Sequence, residues 1–181
     1  IILANNETGT IQDYQAIKKI MEKHDVPLHY DAVQALGKMP LDVEELGVDL
    51  MSISSHKIFG PKSIGALYVR RNTGIAPIMF GGGPKLRPGT GDPAAVTGFG
   101  QACKIAGDKL DETMRKCSEI RDYFEEKINA LPYETKFNGN LDSRVCNTSN
   151  VSFIGQYAST LSEMFDERGI AVSTGAACST K

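Results

Sequence analysis

The chain has 181 residues, of which 41% are hydrophobic and 23% are charged, and its formal net charge is -2. This composition suits a globular protein of one or two domains, and without long basic runs it gives no reason to expect nucleic acid or an anionic membrane as a partner. No apolar run approaches the ~20 residues that cross a bilayer. We therefore expect a small-molecule substrate and a cytoplasmic location, with a mitochondrial location left open.

The first part of the chain alternates between strand and helix patterns. Residues 13–25 carry apolar side chains at helical spacing and predict a helix. The predicted strands are short apolar or β-favouring runs at residues 1–5, 27–31, 49–54 and 64–70. Such alternation indicates an α/β fold with a sheet covered by helices.

The second part, from Asp92 onward, is mainly helical. An apolar stripe from Leu110 to Leu131 indicates a long amphipathic helix that ends before Pro132. Residues 150–154 predict a strand, residues 158–168 a helix, and residues 170–173 a strand. This second set of elements predicts a smaller domain that begins near Asp108.

Two predicted strand ends carry the groups that a Schiff-base cofactor such as pyridoxal phosphate (PLP) needs. Lys57 offers an amine for the aldehyde, and Asp31 offers a carboxylate for the pyridine nitrogen. Ser54 and His56 offer donors for the phosphate. Because Lys57 follows an apolar strand, we expect solvent access to narrow there, which favours the neutral amine that Schiff-base formation requires.

These residues also have ordinary structural interpretations. Asp31 suits a helix cap, and any loop can hold a lone Ser-x-His-Lys. Lys62 is a competing amine in a Gly/Pro turn, where we expect a solvated lysine. We interpret His24 and His29 as structural, and a role for His29 at the edge of the cofactor stays open.

Four blocks of sequence, taken in order, resemble the cysteine desulfurases, and the resemblance covers nearly the whole chain. They are Ala4-Asn5-Asn6-Glu7-Thr8-Gly9-Thr10, His29-Tyr30-Asp31-Ala32-Val33-Gln34, Ser54-Ser55-His56-Lys57-Ile58-Phe59-Gly60-Pro61-Lys62 and Gly175-Ala176-Ala177-Cys178-Ser179. The resemblance implies a PLP-dependent transferase-like fold of type I. Residues 1–107 would form part of the PLP-binding large domain with a mainly parallel sheet, and residues 108–181 part of a small α/β domain.

The resemblance also assigns site residues that the local sequence leaves open. It places Asn6 near the PLP phenolate oxygen and the substrate, and it gives Gln34 a hydrogen bond to that oxygen. Thr90 matches a threonine that reaches the PLP phosphate of the other subunit of a homodimer. The glycine-rich segment that contains Thr90, residues 81–90, is about two residues shorter than the usual family form, so a glycine-rich surface loop remains an alternative.

Cys178 lies among small residues that suit a moving loop, and the resemblance makes it the sulfur carrier. L-cysteine would yield alanine and a persulfide on Cys178, and the sulfur would pass to an acceptor such as an iron–sulfur scaffold protein. The cysteines that we interpret as interior or incidental are Cys103, Cys117 and Cys146. With no C-x-x-C pair, the sequence indicates neither a disulfide framework nor a zinc ribbon.

Three alternatives stay open at this stage: a selenocysteine lyase, an aminotransferase of the same fold, which would not need Cys178, and a non-catalytic remnant or assembly partner. Both ends of the chain, at Ile1 and Lys181, lead us to expect an incomplete protein. In the family that it resembles, a ring-stacking histidine and a phosphate-binding turn precede this stretch. An arginine that binds the substrate carboxylate follows it.

Overall fold

The computed structural model describes residues 1–176. The chain divides into two compact units. The first contains residues 1–3 and 13–110, and the second contains residues 4–12 and, among the described residues, 111–176. The assignment of residues 1–107 and 108–181 to parts of a large and a small domain stays a prediction.

The first unit contains three helices, three strands and one 3₁₀-helix. In chain order these are α1 (Tyr14–His24), β1 (His29–Asp31), α2 (Val43–Leu46), β2 (Leu50–Ser54), the 3₁₀-helix (Ser55–Ile58), β3 (Gly65–Val69) and α3 (Pro93–Asp108). Side-chain caps fix the helix starts, since the Asp13 carboxylate accepts from Ala16 N at 2.9 Å and that of Asp92 accepts from Ala95 N at 3.0 Å.

The strands of the first unit form one sheet in the order β1-β2-β3. Strands β1 and β2 are parallel, with Asp31 opposite Ser52, and β2 and β3 are antiparallel, with Ser54 opposite Gly65. Residues 1–5 form isolated bridges instead of the predicted strand, because the run is divided between the two units. The parallel bridge of Ile2 to Asp31 keeps a reduced β-α-β arrangement around α1.

A small apolar cluster fixes the 3₁₀-helix against α3. Ile58 is buried with Phe99 and Ala102 of α3. Gly60 lies two residues after the end of the 3₁₀-helix. A Cβ added at Gly60 would lie 2.2 Å from Ser55 Oγ and 2.9 Å from Ala102 Cβ. The 3₁₀-helix and α3 therefore approach each other so closely that only glycine fits at position 60.

The second unit is built on a helix, a hairpin-like strand pair and a short helix. These are α4 (Leu110–Asn129), β4 (Thr135–Phe137), β5 (Val151–Phe153) and α5 (Ala158–Asp166), and β4 pairs with β5 in antiparallel fashion. The start of the chain joins this unit: Ile11 N donates to Ser143 O and Val145 N donates to Gly9 O, each at 2.9 Å.

The predicted strand at residues 170–173 was wrong. Ile170 and Val172 are each about half exposed, and no strand of residues 1–176 pairs with them. Without a neighbouring strand this run forms no β-ladder, and the N of Ile170 donates instead to Phe165 O, at the end of α5, at 2.9 Å.

An unusual buried group in the first unit is the hydroxyl of Tyr30. The side chain is fully buried in β1, and its Oη has no hydrogen-bond partner among the described residues. Burial, with a smaller contribution from the charge of Asp13, raises the pKa of Tyr30 to about 12.

We expect Gly60→Ala, made in the complete protein, to lower the free energy of unfolding by about 1–3 kcal/mol, the usual cost of overpacking. The added methyl group would overlap Ser55 and crowd Ala102. Gly100→Ala in α3 is the matched control, because a Cβ there meets nothing within 4 Å, and it should raise the free energy of unfolding by about 0.5–1 kcal/mol. Urea unfolding measures both, and equal effects would contradict the close approach.

We expect Tyr30→Phe to remove an alkaline loss of stability. Folded Tyr30 stays protonated above pH 10, where the unfolded chain ionises, so its contribution is complete below about pH 10 and is lost as the pH rises towards 12. The loss amounts to about 1–1.5 kcal/mol at pH 11 and to about 2–3 kcal/mol when it is complete above pH 12. Unfolding of the complete protein at pH 8 and pH 11 tests this, with the exposed Tyr133→Phe as control. The same pH dependence in both variants would refute the role of Tyr30.

Candidate active site

The residues around Lys57 lie directly after the end of β2. Ser54 is the last residue of β2, and the 3₁₀-helix that follows carries His56 and Lys57. Ser54 Oγ and His56 Nδ1 are 2.8 Å apart, within hydrogen-bonding distance. The structure thus brings the hydroxyl and the imidazole of the predicted phosphate site together, one residue from the predicted Schiff-base lysine.

The expected narrowing of solvent access at Lys57 was wrong for the described residues. Both His56 and Lys57 are exposed, whereas Ser55 and Ile58 are buried. A 3₁₀-helix has three residues per turn, so positions 55 and 58 share one face and the residues between them point elsewhere. The buried face anchors the turn, and the reactive candidates occupy its open face.

Asp31 reaches the same edge of the sheet from the neighbouring strand. It ends β1, and Ala32 N donates to Ser52 O at 2.9 Å in the parallel strand beside it. Its Oδ1 accepts from Val33 N at 3.0 Å, so the carboxylate caps a turn, and the helix that a helix cap would need does not follow it. Its Oδ2 accepts no hydrogen bond from residues 1–176, and the carboxylate can therefore cap the turn and still meet a ring nitrogen.

Gln34 follows Asp31 in a compact turn over residues 32–39. Its Oε1 accepts from Lys38 Nζ at 2.6 Å, and its side chain is half-buried. With the amide oxygen engaged by Lys38, the amide nitrogen is the group that can donate to an oxygen such as the PLP phenolate. The turn also approaches Ile58, because a Cβ on Gly37 would lie 2.9 Å from Ile58 Cγ2.

Thr90 lies in the exposed glycine-rich segment of the first unit. Gly89 N donates to Gly82 O at 2.8 Å, which closes the segment on itself. Thr90 itself is exposed. Its contact with a phosphate of another subunit stays a prediction.

Asn6 belongs to the second unit, where it is exposed in a tight turn. Asn5 Oδ1 accepts from the backbone N of Glu7 and of Thr8, each at 2.9 Å, so Asn5 shapes the turn. Glu7 does something that the sequence did not indicate: its Oε1 accepts from Ala176 N at 3.2 Å. No local pattern could have predicted a contact between residues 169 positions apart.

Cys178 lies outside the described residues. Among the other cysteines, burial raises the pKa of the Cys103 thiol. Burial also raises the pKa of the Cys146 thiol, and the neighbouring Cys117 adds to the effect. Because the thiolate is the nucleophilic form, Cys103 and Cys146 are poorly suited to attack a substrate sulfur.

A cavity of about 400 Å³ in the first unit lies away from these groups. Pro27 and Leu28, just before β1, and Arg70, just after β3, line the cavity, which places it at the opposite edge of the sheet from Lys57.

His29 makes a structural contact, since its Nε2 is 2.8 Å from Ser52 Oγ. In residues 1–176, none of the helices is both long and apolar enough for a bilayer crossing.

Comparison with known families and proteins gives consistent matches. A family model described as aminotransferase class-V matches residues 1–181. A Dictyoglomus turgidum protein named cysteine desulfurase IscS is 41% identical over 182 residues, which cover 99% of this chain and 46% of that protein. An Arabidopsis thaliana protein named mitochondrial cysteine desulfurase is 39% identical over 184 residues, which cover 99% of this chain and 40% of that protein.

Solved structures give the same picture. A NifS-like protein from Rickettsia africae matches with a TM-score of 0.92 and 34% identity, over 97% of this chain and 49% of that one. A structure described as SspA in complex with cysteine matches with a TM-score of 0.75 and 34% identity, over 98% of this chain and 49% of that one. The chain thus spans about half the length of the relatives it matches.

Proposed function

We propose that this chain, which belongs to the aminotransferase class-V family, carries the cofactor-binding and sulfur-accepting residues of a PLP-dependent cysteine desulfurase. The observation that supports this most directly is the arrangement at one edge of the sheet. An amine, an imidazole, a hydroxyl and a carboxylate lie at the carboxyl ends of two adjacent parallel strands, the position where open α/β sheets bind ligands.

The donor set fits PLP. Ser54 and His56 are held together after β2 and match a phosphate dianion. Oδ2 of Asp31 accepts no hydrogen bond from residues 1–176 and is available to a ring nitrogen. Lys57 makes no salt bridge within residues 1–176, so its amine is not committed to a structural ion pair. When bound, PLP supplies an electron sink that stabilises negative charge at the α-carbon of an amino acid.

The residues of this chain then have distinct tasks. Lys57 holds the cofactor through its Nζ and afterwards moves protons at the substrate. Asp31 keeps the pyridine nitrogen protonated, and Gln34 donates to the phenolate oxygen. Asn6 is assigned to the neighbourhood of that oxygen and the substrate. Ser54 and His56 fix the phosphate, and Thr90 is assigned to the phosphate of a second subunit.

Cys178 completes the reaction as the sulfur acceptor. Its thiolate forms a bond to the sulfur of L-cysteine as the bond between that sulfur and the β-carbon breaks. The electron pair of the broken bond stays on the β-carbon, which takes up a proton, so that a persulfide is left on Cys178 and alanine is released. The raised pKa values of the Cys103 and Cys146 thiols disfavour them in this role. L-cysteine as the substrate is further supported by the similarity to the protein solved with cysteine.

The partners and location follow from the same proposal. A persulfide is a transferable sulfur, so we place an iron–sulfur scaffold or another sulfur-acceptor protein downstream. A homodimer accounts for the assignment of Thr90 across subunits. The cytoplasm is the proposed compartment, and the similarity to a mitochondrial protein makes the mitochondrion the alternative.

We expect Lys57→Ala in the complete protein to abolish the visible absorbance of PLP bound as a Schiff base and the adduct trapped by borohydride, because no other amine follows the end of β2 at that position. Lys62→Ala is the matched control: Lys62 is also exposed but lies beyond the anchored 3₁₀-helix, and its variant should keep both signals. A reducible PLP adduct retained by Lys57→Ala would show that Lys57 is not the Schiff-base residue.

We expect Cys178→Ser in the complete protein to bind L-cysteine, seen as a change in cofactor absorbance, but to form no persulfide, since a hydroxyl is far less nucleophilic than a thiolate at neutral pH. Serine variants of Cys103, Cys117 and Cys146 should still form it. A persulfide-selective label followed by peptide mapping makes the measurement. Label on one of those three cysteines would move the acceptor away from Cys178.

A further inference from the structure

Helix α4 lies against one short segment of the second unit, which begins at Arg144 and ends at Cys146. Glu125 accepts from both terminal nitrogens of Arg144, at 2.6 and 2.7 Å, and the two side chains are largely buried. One turn earlier on α4, Nη1 of Arg121 donates to Val145 O and to Cys146 O, each at 3.3 Å. Helix and segment therefore run side by side in opposite directions and in a fixed register.

The same register brings a second cysteine to Cys146. Cys117 precedes Arg121 by four residues, so it lies on the same face of α4, one turn nearer the start of the helix. The two thiols interact directly: burial raises the pKa of the Cys146 thiol, and the charge and the hydrogen bond of the Cys117 side chain raise it further. Both thiols are free in this structure. Packing thus holds together two sulfur atoms from different elements of one unit.

The two cysteines differ in their access to solvent. Cys117 is half-buried, whereas Cys146 is buried with 5% of its surface exposed. An oxidant in solution therefore meets Cys117 first, and the Cys146 thiol lies beside it as a reaction partner. An accessible thiol next to a second, resolving thiol is the arrangement that favours reversible oxidation to a disulfide.

We propose that Cys117 and Cys146 form an oxidation site, at which a peroxide closes a disulfide that clamps the segment to α4. The Cys117 thiolate attacks one peroxide oxygen, the O–O bond breaks, and the other oxygen leaves as water or an alcohol. The sulfur of Cys146 then attacks the sulfenic acid on Cys117, the S–O bond breaks, and the departing hydroxide takes the proton of Cys146 as water. The two thiols lose two electrons, and the peroxide gains them.

This site is independent of the proposed function, because its chemistry uses neither the cofactor nor Cys178. In a reducing compartment the pair stays a dithiol, and the disulfide forms only while oxidant is present. The bond would close a loop of about 30 residues, which is long enough for a substantial restriction of the open chain.

Peptide mapping of the complete protein, treated with hydrogen peroxide and then alkylated, tests the bond. Trypsin places Cys117 in residues 117–121 and Cys146 in residues 145–168, and these two peptides should be joined until a thiol reductant separates them. Cys117→Ser and Cys146→Ser should each abolish the joined product, and Cys103→Ser, the matched control, should leave its yield unchanged. Absence of the joined product from the unaltered protein, or Cys117 joined to a different cysteine, would overturn the proposal.

The rate of disulfide formation tests the register that brings the two thiols together. Arg121→Ala should slow the reaction about fivefold, the factor expected for one hydrogen bond of ordinary net strength. Arg115→Ala is the matched control: Arg115 is an exposed arginine elsewhere on α4 that pairs with Glu119, and its loss should leave the rate unchanged. The same rate in both variants would show that the contacts of Arg121 do not align the thiols.

Amide hydrogen exchange at Val145 tests the clamp. Its N donates to Gly9 O at 2.9 Å, and exchange requires that the segment open. Closing the disulfide should slow this exchange at least about tenfold, because the bond keeps the segment beside α4. The peroxide-treated Cys117→Ser variant should exchange as it does before treatment. Equal exchange in the reduced and oxidised forms of the unaltered protein would overturn the clamp.

Discussion

The burial of Ile58 is the interaction on which the candidate site depends. From the 3₁₀-helix after β2, Ile58 packs against Phe99 and Ala102 of α3 and lies under Gly37 in the turn that follows Asp31. Burying one such side chain contributes about 1.5–3 kcal/mol. Because one apolar side chain joins the two loops, the amine of the first and the carboxylate that precedes the second are held at the same edge of the sheet by packing.

The 3₁₀-helix separates support from chemistry by its three-residue repeat. Ser55 and Ile58 face inward, and His56 and Lys57 face outward. The arrangement has a cost, since Ser55 Oγ is buried without a hydrogen-bond partner among the described residues.

Sequence periodicity predicted the elements that local patterns govern. Helices α1 and α4 and strand β2 agree with their predicted ranges to within a few residues, because each carries a regular apolar repeat and, for α1, a capping aspartate. The position of Lys57 after β2 was also predictable. Its exposure was not, because the sequence does not reveal that Ile58 takes the buried position. The contact of Glu7 with Ala176 depends on tertiary structure alone.

The way residues 4–12 join the second unit has a consequence for the order of folding. Ile11 accepts a hydrogen bond from Ser143, which lies 132 residues further along the chain, and the whole helical and sheet structure of the first unit is encoded between them. During synthesis residues 4–12 leave the ribosome before residues 13–110, and their partners around residue 143 follow only after the first unit. Closing so long a loop is slow. The folded first unit holds residues 13 and 110 within one compact body, so the stretch of chain that still has to be closed is shorter.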